Sequence, residues 1–435
     1  MIRVSLKKIL PFLPQPIKSI FIGDWDDAGL KKYFANTFWM FSGRFFLLAT
    51  GFLVSALVAR HLGPENYGLF NYVIGFGGLF ALVSGFGTNA ILGRELLNHP
   101  EKKGLILGNA IILYISSSIL LILLINSVAF FSDPDIYTRQ LIFVFSLTFV
   151  FQPISVFDIY FQSEVKAKLT TVVQLFVSLI SIVFKLLGIF LGFYVGWFIL
   201  VLVIEGLTSV LLTTGLFLRS GIKPVFVPNP TLLRHMLIAA FPFMLSIIST
   251  GVYMKIDQVM IKHMLNTTET GLYSVAVRLA EAWYFVPNII SASIFPAIIN
   301  ARRVNKTIYY NRISRLLLLM FSLSLIVILP FTLLAHPIIT LLFGEAYIGA
   351  YKPFIVYIWS SIPIFLLPTL AAYMTAEYHG YRFLFVSVLG AIVNIVLNLI
   401  FIPQFGIIGS AYATLIAYCI PTFILLILFL RKNYD

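Results

Sequence analysis

Eight ionisable side chains fall inside long apolar runs of this sequence: Arg44, Lys185, Lys255 and Arg278, with Asp158, Glu205, Asp257 and Glu281. A charged group at the centre of a bilayer costs about 2.5–3.5 kcal/mol on insertion scales, so each is kept against a penalty. Glu205 and Glu281 lie well inside their runs and Asp158 and Asp257 near the ends, which biases the interior toward positive charge. Cations at several depths suit an anionic headgroup moving across. Arginine suits phosphate, because its planar fork donates two hydrogen bonds at once. Arg44 has no acid in its own run or in the first three runs, so it is the strongest candidate for substrate contact. Plainer roles exist for the others. Arg278 and Glu281, at i and i+3, could pair along one helix face. Glu205 could pair with Lys185 across neighbouring helices, and Lys185 and Lys255 stand near enough to a boundary to snorkel.

These residues need helices that cross a membrane. Of 435 residues, 60% are hydrophobic and 11% charged, with a mean hydropathy of +0.98. Soluble domains carry roughly a quarter charged residues, so this chain cannot cover a water-facing surface. Runs near 20 residues indicate helices; barrel strands would be about 10 residues long. The pattern predicts an all-α integral membrane protein with twelve spans: 36–59, 67–92, 104–131, 139–162, 170–193, 196–218, 236–258, 271–297, 314–335, 354–375, 383–402 and 407–430. Pro153, Pro242, Pro287, Pro330, Pro363, Pro368 and Pro421 fall within spans and predict kinks. Cys419 is the only cysteine, which excludes an internal disulfide. The six histidines are scattered with no HExxH spacing, so neither a metal nor a cofactor is expected. No loop has room for a soluble catalytic domain.

The net charge of +13 would suggest nucleic acid in a soluble protein. Here it follows the spans. Twelve spans put both termini on one side, and that side carries 22 Lys and Arg. The other side carries four: Arg60, Arg139, Lys262 and Lys352. Basic loops face the cytoplasm, so both termini are expected there, in a plasma membrane, with no nucleic-acid partner. Residues 1–35, broken by Pro11, Pro14 and Pro16, read as a basic cytoplasmic arm rather than a signal peptide.

The chain also repeats itself. Leu62 to Gly68 and Leu265 to Gly271 are equally spaced, and "GLF" after the first matches "GLY" after the second. Lys185 to Gly196 is matched by Asn398 to Gly409. Both echoes join corresponding spans of a six-plus-six duplication. The expected units are a six-helix lobe over 36–218, a linker over 219–235, a second lobe over 236–430 and a tail over 431–435. Two parallel lobes around a central cavity are a transporter architecture.

"ARHLGPENYGLFNYV", "IDQVMIKHMLNTTETGLYSVAVRL", "LLFGEAYIGAYKPF" and "NIVLNLIFIPQFGIIGSAYATLIAY" resemble, in this order, the Wzx-type polysaccharide flippases. These are a branch of the multidrug/oligosaccharidyl-lipid/polysaccharide (MOP) exporter superfamily. The resemblance runs from about 36 to 430. It implies two lobes forming a V with a cationic cavity, and transfer of an undecaprenyl-diphosphate-linked oligosaccharide, such as an O-antigen unit, to the outer leaflet. The substrate would be held by Arg44 and Arg278, with Lys255 and Lys185. Membrane lipids and polysaccharide polymerase machinery are the implied partners. Energy could come from the membrane potential acting on a cationic cavity or from protonation of Asp257, Glu281 or Glu205. One alternative is a drug/cation antiporter of the same superfamily, which needs carboxylates in the first lobe; spans one to three have none. Another is a polymerase or glycosyltransferase, for which "DPD" at 133–135 is the only candidate motif and reads better as a turn.

Overall fold

The computed structural model describes the backbone of residues 27–377 and 380–434. It describes side chains at 47 and from 49 onward, except 292, 293, 295–297, 301, 303, 304, 380, 381 and 432–434. The described residues contain helices and no strand. The helices are α1 (Asp27–Ala81), α2 (Asn89–Asn98), α3 (Lys103–Ser132), α4 (Ile136–Ser146), α5 (Ser155–Ser163), α6 (Ala167–Phe190), α7 (Val195–Leu218) and α8 (Pro230–Met264). They continue as α9 (Thr267–Glu281), α10 (Phe285–Val304), α11 (Lys306–Leu333), α12 (Ala335–Phe343), α13 (Tyr351–Ile358), α14 (Ser361–Ala376) and α15 (Gly380–Tyr434). Among the described residues, eight helical segments are long and apolar enough to cross a membrane.

Both long helices are pairs of crossings. α1 is interrupted at Gly63 (φ 71°), and Pro64 starts the second arm. Glycine supplies the left-handed backbone, and proline, with fixed φ and no N–H, suits a first helical position. α15 is interrupted in the same way at Gly406 (φ 61°). The second crossing continues through a 3-10 turn, Ser84–Gly87, into α2. The fourth is α4, a 3-10 segment at Leu147–Ile154, and α5. The eighth breaks between α9 and α10, and the tenth between α13 and α14. Pro287 and Pro363 are each the third residue of the helix after the break. A proline ring excludes the carbonyl four residues back, which lands on Trp283 and Trp359 in the two breaks. Second and fourth crossings in one half are thus interrupted like the eighth and tenth in the other. The stretch between the ninth and tenth predicted spans, 336–353, is itself largely helical: it folds as the rest of α12 and a 3-10 turn at Glu345–Ala350.

The two halves are joined at the end that carries the His61–Val73 turn. One apolar cluster there includes Val54, Tyr67 and Phe198 of the first half and Tyr273, Phe343 and Tyr357 of the second. At the opposite, basic end the apolar side chains form two clusters. Ile91, Leu107, Tyr160 and Phe217 make one, and Ile313, Met320, Tyr373 and Phe429 the other. α8 serves both halves: its early residues Met236 and Ala240 pack into the first-half cluster. The connection before α8 is pinned to α3. Asn109 donates to Val227 O at 3.0 Å and accepts from Asn229 N at 2.8 Å, and Val225 N donates to Gly104 O at 2.9 Å. A matching ion pair closes the basic end of each half: Lys103–Glu164 at 2.5 Å and Arg302–Glu377 at 3.0 Å.

Candidate functional site

The two glycines of the repeated turn meet. A Cβ on Gly68 would lie 1.8 Å from Thr267 O, and one on Gly271 would lie 1.9 Å from Pro64 O. The echo in the sequence is therefore a contact between the starts of the second and eighth crossings, backbone on backbone. Around it, Tyr347 donates to Ala59 O at 2.7 Å, and Arg60 donates to Thr340 O at 3.3 Å and to Leu341 O. Lys262 of α8 pairs with Asp133, lies over the Tyr72 ring at 4.5 Å, and neighbours the Tyr72–His263 hydrogen bond of 3.0 Å. The "DPD" motif is a turn, as expected: Asp135 caps α4 and accepts from Thr138 N at 2.9 Å and from Thr138 Oγ1 at 2.6 Å. Those bonds hold its carboxyl below the usual range. The sequence reading missed that Asp133 is buried and ties the halves together.

Arg278 lies in the last turn of α9, exposed, and donates to Gly51 O of α1 at 3.1 Å. A Cβ on Gly51 would have nothing within 4 Å, so this stretch of α1 borders open space. The expected alternative, an Arg278–Glu281 pair, is not formed: Glu281 accepts from Tyr357 Oη at 3.2 Å instead. The half-buried Lys255 is the other cation whose charge bears on Glu281. Arg44 is within α1, but its side chain lies outside the described residues. Its position is seven residues before Gly51, two helical turns, which places both on one face of α1 about 10 Å apart. Lys185 pairs with Glu205 at 2.8 Å, and Ser181 also donates to Glu205. That is the plainer of the two roles weighed for these residues, and it commits both charges to each other.

Asp257 is 3% exposed. Its Oδ2 accepts from Tyr273 at 2.7 Å and Thr414 at 2.5 Å, and its Oδ1 accepts from Asn398 at 2.9 Å. No Lys, Arg or His stands within ion-pair distance of it among the described residues. Two nearby oxygens, Asn398 Oδ1 and Ser410 Oγ, are buried without a partner. A carboxylate held only by neutral donors, with acceptors to spare, is suited to take up a proton or a small cation. Among the described residues no three His, Cys, Asp or Glu stand together as a metal site. The neutral partners were missed from sequence, although Asn394 and Asn398, four apart in an apolar run, mark one polar face.

The model of a family described as polysaccharide biosynthesis protein matches residues 33–302. A probable flippase, AglR, from Haloferax volcanii is 26% identical over 180 residues. That match covers 38% of this chain and 35% of the relative, so it spans about a third of the relative's length. The lipid II flippase MurJ in an inward closed conformation superposes with a TM-score of 0.73 and 17% identity, over 90% of this chain and 88% of that one. An inward-facing multidrug resistance MATE transporter of the MOP superfamily gives 0.72 at 15% identity, over 90% of this chain and 94% of that one. These likenesses establish the fold. The multi-pass helical fold is shared with these two structures, and the family match spans well over half of the sequence. The chain belongs to the polysaccharide biosynthesis protein family.

Proposed function

We propose that this protein is a flippase, not an enzyme, and that it moves a polyprenyl-diphosphate-linked oligosaccharide from the inner to the outer leaflet of a plasma membrane. The observation that carries the reading is Arg278: a guanidinium in the eighth expected span, exposed beside open space, reaching across to Gly51 O and without a carboxylate partner among the described residues. Keeping such a cation costs about 2.5–3.5 kcal/mol unless an anion repays it, and a diphosphate accepts its bidentate fork. Arg44, on the same face of α1 nearer the basic end, would meet the headgroup first, with Lys255 beside the path. The lobes are taken as 36–218 and 236–430, the basic end as cytoplasmic with both termini, and the joined end as the outer gate. On this reading the structure is the state with the gate closed and the path facing inward. Asp257, with Glu281, supplies the coupling protonation, because a ligand shifts a two-state equilibrium only by its differential affinity for the states. A cationic drug would be repelled by Arg278 and Lys255, which disfavours the antiporter reading. Binding distinguishes the two: purified protein should bind polyprenyl diphosphate tightly, polyprenyl monophosphate more weakly and a quaternary ammonium drug not at all. The reverse order of affinities would refute the reading.

A further inference from the structure

Four side chains from both halves meet at the joined end, and one of them titrates near neutral pH. Tyr72, in the second arm of α1, is buried and hydrogen-bonded to His263 Nε2 at 3.0 Å, with the two rings edge-on at 5.5 Å. His263 is exposed and stands in the last turn of α8 beside Lys262. Lys262 Nζ lies over the same Tyr72 ring at 4.5 Å and pairs with the buried Asp133. The groups that face His263 are thus Tyr72 and Asp133 from the first half and Lys262 from its own helix. Asp135 acts on Lys262, and Arg139 is held at Pro134 O and over the Phe130 ring.

We infer that His263 is an acid-tightened latch on the outer gate: proton uptake from the outer medium strengthens its bond to Tyr72 and holds the halves closed. The inference rests on the outer gate proposed above. With neutral imidazole the Tyr72–His263 bond is an ordinary one. The imidazolium donates from Nε2–H to Tyr72 Oη, and its charge then faces Asp133 across the contact. A hydrogen bond with an ionised donor is roughly twice as strong as a neutral one. Lys262 repels the new charge. It is the next residue on the same helix, however, and stays beside His263 when the halves part, so it does not decide between the states. An exposed ring loses little hydration on closing. What the closed state adds is Tyr72 and Asp133, and both favour the charged ring. The gain of a charged over a neutral bond corresponds to roughly a 5- to 10-fold rise in the closed-to-open ratio. By linkage the closed gate binds the proton more tightly by the same factor. Unperturbed imidazole titrates near about 6.5, so acid on the outer side holds the inward-facing state, to which an emptied transporter must return.

The test places spin labels at Tyr194→Cys and Leu341→Cys, exposed at this end in opposite halves, in a Cys419→Ser background. Distance distributions are recorded in lipid nanodiscs at about pH 8 and about pH 5.5, on either side of the imidazole titration. No substrate is needed. The ratio of short to long distances should rise roughly 5- to 10-fold on acidification. If only the short population is seen at the higher pH, the pair of measurements is made in Gly271→Ala, whose methyl against Pro64 O disfavours closure. His263→Gln keeps a neutral partner for Tyr72 and should give a ratio that does not change with pH. Tyr72→Phe removes the bond and should also abolish the change. Two populations whose ratio ignores pH, or shifts toward the long distance in acid, would overturn the latch and leave the gate standing. A full response in His263→Gln or in Tyr72→Phe would overturn it as well. A single population in both backgrounds at both pH values would remove the gate and the latch together.

Discussion

Gly271→Ala should open the outer gate. The new methyl would sit 1.9 Å from Pro64 O and 3.0 Å from Gly68 N, both backbone atoms that cannot rotate away. Ordinary contact needs about 3.4–4 Å between such atoms, so the starts of the second and eighth crossings must separate by roughly 1.5 Å. Overpacking of this kind costs typically 1–3 kcal/mol. Under the proposed alternating access the contact is made only while the halves are closed here, so the cost would fall on the closed state alone and favour the open one by roughly 5- to 150-fold. Spin labels at Ile136 and Ile348, exposed at this end in opposite halves, would report it. The distance distribution in Gly271→Ala should shift to a longer population than in wild type. Gly215→Ala is the control: its Cβ meets nothing within 4 Å, so it should leave the distances unchanged. A Gly271→Ala protein with normal thermal stability and a wild-type distance distribution would refute the gate.

Other consequences follow from single contacts. Breaking the Lys262–Asp133 pair by Asp133→Asn should destabilise the closed gate by about 3–5 kcal/mol, because it strands a mostly buried ammonium; Asp133→Asn with Lys262→Met should recover part, read as thiol accessibility at the outer mouth. Arg44→Ala should abolish export at normal protein level, and Arg44→Lys should restore only part, lacking the bidentate fork. Asn109→Ala frees the connection before α8 and should lower the melting temperature without changing substrate affinity, since it removes bonds to Val227 and Asn229 remote from Arg278.

The twelve crossings were legible because each must be apolar and about 20 residues long, whichever neighbour it packs against. The repeat was legible as spacing around Gly68 and Gly271. That the two glycines touch was not, since that is a property of how the halves dock. The interruptions were half legible: prolines mark the breaks after Trp283 and Trp359, while Pro242 and Pro330 lie in α8 and α11 without a break. Among the site residues, charge at membrane depth singled out Arg278, Lys185, Glu205 and Asp257. Their partners are neutral or distant in sequence. Gly51 O leaves no trace in residue type, and Asp133 looked like half of a turn motif, which it also is. Pairing Lys185 with Glu205 needed only the adjacency of the fifth and sixth crossings, so the sequence could offer it as an alternative.

The central claim is that Arg278 holds an anionic headgroup while it crosses. The direct measurement is flipping of a fluorescent polyprenyl-diphosphate disaccharide by purified protein in proteoliposomes, comparing wild type, Arg278→Ala and Arg278→Lys at matched insertion and thermal stability. Charge-assisted bonds to an ion contribute about 1.5–3 kcal/mol, so Arg278→Ala should lower flipping at low substrate by roughly 10- to 150-fold, with Arg278→Lys intermediate. An Arg278→Ala protein that flips this lipid at the wild-type rate would contradict the account.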